Sequence, residues 1–253
     1  MYCYYKECNS LRKTASKYKI NREVLTKEFR VNGLVINEST RNKHELNENF
    51  FEDIDTEEKA YWLGFIYADG YIGETNSMRI ELKLDDKEHL NKLIKAIEGT
   101  YTVKDRADKN TCYLNVNNKK LASDLRAVGL YANKSMTITF PLLKEDMKSS
   151  FIRGYFDGDG SIYRVGKKSA GIGIIGTKKF LTTIKEFFVD IPMKLRPSKK
   201  SQPEYNVYRL EITNLEGTLK FADAIYKKST ISLDRKMSKY LSIKGETSTT
   251  TMG

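Results

Sequence analysis

A chain of 253 residues, 40% hydrophobic and 30% charged, can bury a substantial core, and no apolar run nears the roughly 20 residues of a membrane span. The net charge of +11 and pI near 9.3 leave two readings, a basic surface that merely keeps the chain soluble or an anionic partner such as nucleic acid. Cys3, Cys8 and Cys112 are odd in number, and residues 1–10 lack the charged and apolar regions of a secretory signal, so a soluble, intracellular protein with free thiols is expected.

Residues 1–36 form a head of their own. Ala15, Tyr18, Ile20, Leu25 and Phe29 are spaced for a helix over Leu11–Tyr18, a tight turn at Lys19–Asn21 and a helix over Arg22–Val31 that stops at Gly33. The arrangement resembles a helix-turn-helix, although that turn usually carries Gly where Lys19 stands. Eight Lys and Arg against three Glu make the head basic, and Arg22, Thr26, Lys27 and Arg30 would face outward as DNA contacts. An ordinary basic helical hairpin is the alternative. Cys3 and Cys8 have no second Cys/His pair at finger-like spacing, which argues against zinc.

Residues 37–58 are polar and turn acidic, as a linker does, with Phe50, Phe51 and Ile54 available for docking on the first of two similar repeats. These repeats occupy residues 59–147 and 148–244. Each opens on an apolar run of helical length, AYWLGFIYADGYIG and SSFIRGYFDGDGSIY, that ends in an acid and a glycine before strand-like residues. The first continues with a strand at Met78–Leu84, a helix at Glu88–Glu98, strands at Tyr101–Arg106 and Cys112–Asn117, and a helix at Leu121–Val128. The second continues with Ile172–Ile175, a helix at Lys179–Phe188, strands near Met193–Arg196 and Asn206–Thr213, and a helix at Thr218–Tyr226. The order αββαββα in both predicts an α+β fold of two pseudo-symmetric halves. Residues 245–253 are of low complexity and are expected to be disordered.

Gly64 and Ala68 lie four apart, as do Gly154 and Gly158, so each pair lines one helix face and invites close packing of the two helices. Asp69 and Asp159 then fall at helix C-termini, the end where the macrodipole disfavours a carboxylate, and parallel packing would bring the two together. A bound divalent cation would relieve both conflicts, could generate hydroxide and could stabilise the leaving oxygen of a phosphodiester. Asp-Gly as a plain turn out of a helix is the simpler reading of either copy alone.

Both runs resemble the signature of the LAGLIDADG homing endonucleases, and the resemblance covers about residues 50–240. The copies depart from it at Trp62, Leu63 and Tyr67, and at Arg153 and Tyr155. The resemblance implies saddle-shaped antiparallel sheets on either side of the paired helices. It also implies metal binding by Asp69 and Asp159 with the carbonyls of Ala68 and Gly158, and a basic group in each repeat, Lys134 and Lys236. Mg2+ is the cation implied; Mn2+ would substitute, and Ca2+ would support binding without cutting. For a further polar group behind the metals, Lys83 or Asp85 could serve in the first repeat, and only Gly176 and Thr177 stand at the place in the second.

Alternation assigns the strand faces. Arg79, Glu81 and Lys83 oppose Ile80, Leu82 and Leu84, and Tyr113, Asn115 and Asn117 oppose Cys112, Leu114 and Val116. Lys104 and Arg106 join that polar face. In the second repeat Arg209, Glu211 and Thr213 oppose Leu210 and Ile212, Lys194 and Arg196 share a face, and Tyr163 and Lys167 precede them. Such faces carry the donors and acceptors of major-groove reading, whereas Lys199 and Lys200 sit in a loop suited to phosphate contact. A solvated sheet face is the alternative. The expected protein is a monomeric, metal-dependent endonuclease that cuts both strands of a long, imperfectly palindromic DNA site and promotes mobility of its encoding element. A non-cleaving DNA-binding regulator and an RNA-splicing maturase on the same fold are the rivals.

Overall fold

Three short helices lead the chain: α1 (Tyr2–Cys8), α2 (Leu11–Lys17) and α3 (Arg22–Val31). In the computed structural model, which describes residues 1–36, 44–74, 76–131, 136–165, 169–198 and 206–250, residues 1–44 are one compact unit and residues 45–253 another. The head has its own small core of Tyr5, Ala15, Leu25 and Phe29. Ser10 and Asn21 accept from the backbone N–H of Lys13 and Glu23, so α2 and α3 start on side-chain caps. Lys19 adopts φ 54°, the left-handed conformation that favours Gly in such turns. Tyr18 is exposed rather than in the core. Helix α1 was not anticipated. Seven residues are too few for a periodicity to be read, and its Tyr2 and Tyr5 are held by the ring of Phe29.

The body begins earlier than a linker over 37–58 would allow. Residues 37–43 lie outside the described residues, but Glu45 and Asn47 already donate backbone hydrogen bonds to Thr100 and Ile97, and Phe50 and Phe51 are buried. Its first half comprises α4 (Glu57–Asp69), β1 (Gly70–Ile72), β2 (Ser77–Lys83), α5 (Lys87–Ala96), β3 (Lys104–Arg106), β4 (Thr111–Asn117) and α6 (Lys119–Ala127). The second comprises α7 (Glu145–Asp159), β5 (Gly160–Val165), β6 (Ser169–Gly176), α8 (Lys178–Phe187), β7 (Lys194–Pro197), β8 (Tyr208–Ile212) and α9 (Leu215–Tyr226). Each half folds its strands into an antiparallel sheet, in the orders β1-β2-β4-β3 and β5-β6-β8-β7. Met78, Ile80 and Leu82 with Cys112, Leu114 and Val116 point into the core, as alternation requires, and one apolar cluster runs through both halves. Element ends shift by one to three residues from their sequence positions, and β3 is shorter than Tyr101–Arg106 because Tyr101 turns inward to the carbonyl of Asn117.

A last helix, α10 (Asp234–Thr250), replaces the disordered tail expected from Gly245; residues 251–253 lie outside the described residues. Tyr240 and Ile243 bury one face of α10 and supply the nucleus from which further turns add at little cost. No helix among the described residues is long and apolar enough to cross a membrane.

Candidate metal centre and polar sheet faces

The seam between α4 and α7 leaves no room for side chains at its crossing. A Cβ on Gly64 would lie 2.0 Å from the carbonyl oxygen of Phe151, and one on Gly154 would lie 1.9 Å from that of Tyr61. Backbone therefore meets backbone, which compensates the cost of glycine inside a helix. At the ends of the helices a Cβ on Gly158 would be 2.3 Å from Cβ of Ala68 and 3.1 Å from Oδ2 of Asp69. The carboxylate of Asp69 thus lies across the seam beside the last turn of α7, half-buried, while Asp159 is exposed. Buried Tyr155 completes the group. Its hydroxyl donates to the carbonyl of Ile175 (2.9 Å), and burial, then the negative charges of Asp159 and Asp69, push its pKa far above the ordinary phenol value. Tyr155 stands four residues before Asp159, on the same helical face; that spacing was the signal by which it could have been found.

Among the described residues no three His, Cys, Asp or Glu side chains converge on one point. Two carboxylates with the neighbouring carbonyls of Ala68 and Gly158 fit a hard cation that keeps several of its waters, as Mg2+ does, rather than a tetrahedral metal caged by protein.

Lys236, the basic group expected in the second repeat, is buried against the end of α7. It is 3% exposed, and its ammonium donates to the carbonyl oxygens of Phe156 (2.5 Å), Asp157 (2.7 Å), Gly158 (3.3 Å) and Gly160 (2.6 Å). Asp157 and Gly158 belong to the last turn of α7, where helix carbonyls run short of N–H partners, so the charge that offsets the α7 dipole comes from α10. Burial lowers its pKa to about 8, against the pull of Asp157. Lys134 lies outside the described residues. Thr177 is committed elsewhere: it donates to the carbonyl of Ile138 (2.6 Å) and caps α8. Lys83 and Asp85 are both exposed.

Sequence reasoning passed over Asp157, two residues before Asp159 and fully buried. Its carboxylate accepts from the hydroxyls of Tyr61 (2.7 Å) and Tyr226 (2.5 Å) and from the backbone N–H of Leu233 (2.7 Å). Burial raises its pKa, and these donors with Lys236 counter the rise. The Tyr61 hydroxyl also lies 2.9 Å from Nε2 of His89, whose pKa burial lowers to about 3, so that imidazole is neutral. Arg153, one of the departures from the signature, donates to Glu57 (2.5 Å) and to the carbonyl of Ile225 (2.9 Å).

On the first sheet Glu81 accepts from Thr111 (2.8 Å), Arg79 (2.8 Å) and Arg106 (3.3 Å), and these partners hold its carboxyl below the usual range. The guanidinium of Arg79 lies 4.3 Å from the centre of the Tyr113 ring. Lys83, Lys104, Asn115 and Asn117 are exposed on the same side. On the second sheet Arg209 Nε lies 2.9 Å from Glu211, Lys194 and Arg196 are exposed, Tyr163 is half-buried, and Thr213 is exposed just past β8. Lys167, Lys199 and Lys200 lie outside the described residues. In the head, Arg22, Thr26, Lys27 and Arg30 line one shallow concavity on α3.

Comparison with known proteins agrees with this architecture. The family model of the LAGLIDADG-like domain matches residues 146–226. The LAGLIDADG homing endonuclease I-LtrWI, solved bound to target DNA, is 12% identical with a TM-score of 0.52, covering 75% of this chain and 91% of its own. I-GzeII, solved with its DNA target, is 14% identical with a TM-score of 0.51, covering 76% and 90%. A replication factor C small subunit of Methanocaldococcus jannaschii is 25% identical over 200 residues, 77% of this chain. The match spans only 10% of that protein's length. The body of this chain therefore has the fold of the LAGLIDADG homing endonucleases, and residues 146–226 are similar to the LAGLIDADG-like domain.

Proposed function

We propose that this chain is a divalent-metal-dependent DNA endonuclease that cuts both strands of a long, imperfectly palindromic duplex site. One observation carries the reading: Asp69 and Asp159 end two helices that meet backbone to backbone, where nothing in a purely structural role would place two acids. They hold the cation, Mg2+ or Mn2+, with the carbonyls of Ala68 and Gly158. A cation there would activate a water for attack and offset charge on the leaving oxygen. Tyr155, kept protonated, stays a hydrogen-bond donor beside the acids. Lys236 holds the end of α7 in place, and Lys134 is the basic group offered to the reacting phosphate. The sheet faces and α3 bind the duplex, a single chain supplies both acids and so acts as a monomer, and cutting promotes mobility of the encoding element.

Digestion of genomic DNA with Mg2+ tests this. The wild type is expected to give discrete fragments, and Asp69→Asn or Asp159→Asn none, with binding in Ca2+ retained. Wild-type cutting by either variant would overturn the metal assignment. A second reading, binding without cleavage, draws on Lys236, whose ammonium already occupies the carbonyl of Gly158. Site-specific binding with no cutting in any divalent cation is its signature.

A further inference from the structure

The two sheets share one register but not one set of side chains. Gly70 pairs with Ile80 and Gly160 with Ile174, and Ile80 and Ile174 pair onward with Leu114 and Leu210. Ile174 is therefore the equivalent of Ile80, and the outward positions of the central strands correspond: Ser77 with Gly171, Arg79 with Gly173, Glu81 with Ile175. Where β2 carries a guanidinium and a carboxylate, β6 carries two glycines and an isoleucine that is 41% exposed. The glycines are covered by neighbours. A Cβ on Gly171 would meet the Tyr163 ring at 2.7 Å, and one on Gly173 would meet the Arg209 guanidinium at 2.3 Å. Glycine weakens a strand unless something must approach its backbone, and here an aromatic ring and a guanidinium do.

We infer that the second repeat reads its half of the DNA site at fewer positions than the first, with Arg209 the one base-reading group over its central strand; this rests on the DNA-binding reading above. Major-groove discrimination needs a donor or acceptor opposite each base edge, and an aliphatic side chain or bare backbone offers none. The first sheet presents Arg79, Glu81 and Arg106 already fixed by one another, so little freedom is lost when they meet bases. On the second sheet, among the described residues, Arg209 and Glu211 on β8 and the exposed Lys194 and Arg196 on β7 are the charged groups of the outward face, and the outward positions Gly171, Gly173 and Ile175 of β6 itself carry no side-chain donor or acceptor.

Selection of duplexes bound by the full chain from a randomised DNA pool, followed by sequencing, tests the inference. One half-site is expected to show strong base preference, each wrong pair lowering binding about 10-fold or more, and the other a run of pairs costing less than about 3-fold. Arg79→Ala, at a half-exposed position that does not threaten the fold, should flatten the strong half alone. Arg209→Ala should weaken the weak half further and leave the strong half unchanged. Equal preference in both halves, or loss from the weak half on Arg79→Ala, overturns the inference while leaving DNA binding intact. No enrichment of any duplex overturns the DNA-binding reading and this inference with it.

Discussion

The two repeats close the ends of their signature helices by different chemistry. In each, the residue two before the terminal acid reaches back to the last helix of its own repeat. In the first it is Tyr67, whose hydroxyl donates to the carbonyl of Val128 at the end of α6. In the second it is Asp157, joined to Tyr226 at the end of α9 and to Leu233 beyond it. A neutral phenol needs one acceptor. A buried carboxylate needs several donors and a countercharge, and Lys236 from α10 supplies the latter. A backbone constraint shared by both halves is thus met once by a self-contained contact and once by a cluster that draws in an extra helix. Because desolvation offsets most of the attraction in a buried ion pair, the second solution secures geometry more than stability.

Breaking the ionic cluster from either side should have the largest effect. Asp157→Ala leaves Lys236 buried without its counterion and the donors of Tyr226 and Leu233 unpaired, and should cost about 3–5 kcal/mol in chemical denaturation. Lys236→Met should cost a similar amount. A loss of about 1 kcal/mol in both would mean that the cluster is solvated and the contrast with Tyr67 is false. The seam, where the halves should agree, comes next. Gly64→Ala and Gly154→Ala each press a methyl onto a backbone carbonyl, which cannot yield as a side chain tip does, and each should cost about 3 kcal/mol. Unequal losses would show that one helix bends to make room.

A smaller effect sharpens the comparison by pH. The imidazole of His89, in the first repeat, has a folded pKa of about 3 against an ordinary 6.5, so the unfolded chain takes up the proton first. Stability should fall as pH drops through that window, by about 2 kcal/mol between pH 6.5 and 5. His89→Gln should flatten this slope, and an unchanged slope would place the acid sensitivity elsewhere. The least effect is expected from Tyr67→Phe. It removes one hydrogen bond and should cost about 1 kcal/mol, well below its counterpart Asp157→Ala.

The order of elements was legible because both sheets alternate cleanly and both signature runs end in an acid and a glycine. Gly64 and Gly154 likewise announced a close helix crossing, since glycine inside a helix calls for a compensating contact. Lys236 was not legible. Its sequence neighbours Arg235 and Lys239 are not buried, and only α10, laid against the end of α7, removes it from water. Helix α10 had a signal in Met237, Tyr240 and Ile243, three apart each time, but the polar residues after Gly245 masked it. Asp157 was hidden by its neighbour: of the two acids in FDGD, only Asp159 has a counterpart in the first repeat, Asp69. The blank outward face of β6 needed the strand register, because GIGII taken alone reads as an ordinary buried strand.

The four carbonyls gathered by Lys236 also set an order of assembly during synthesis. Both helices of the seam and both terminal aspartates have left the ribosome before the lysine that steadies α7 is made. A nascent chain released short of α10 carries Asp159 on a helix whose last carbonyls have no cation and beside a buried Asp157 with no counterion. Such a fragment has the acids without the framework that holds them, so the end of α7 takes its final form only when the chain is made through α10.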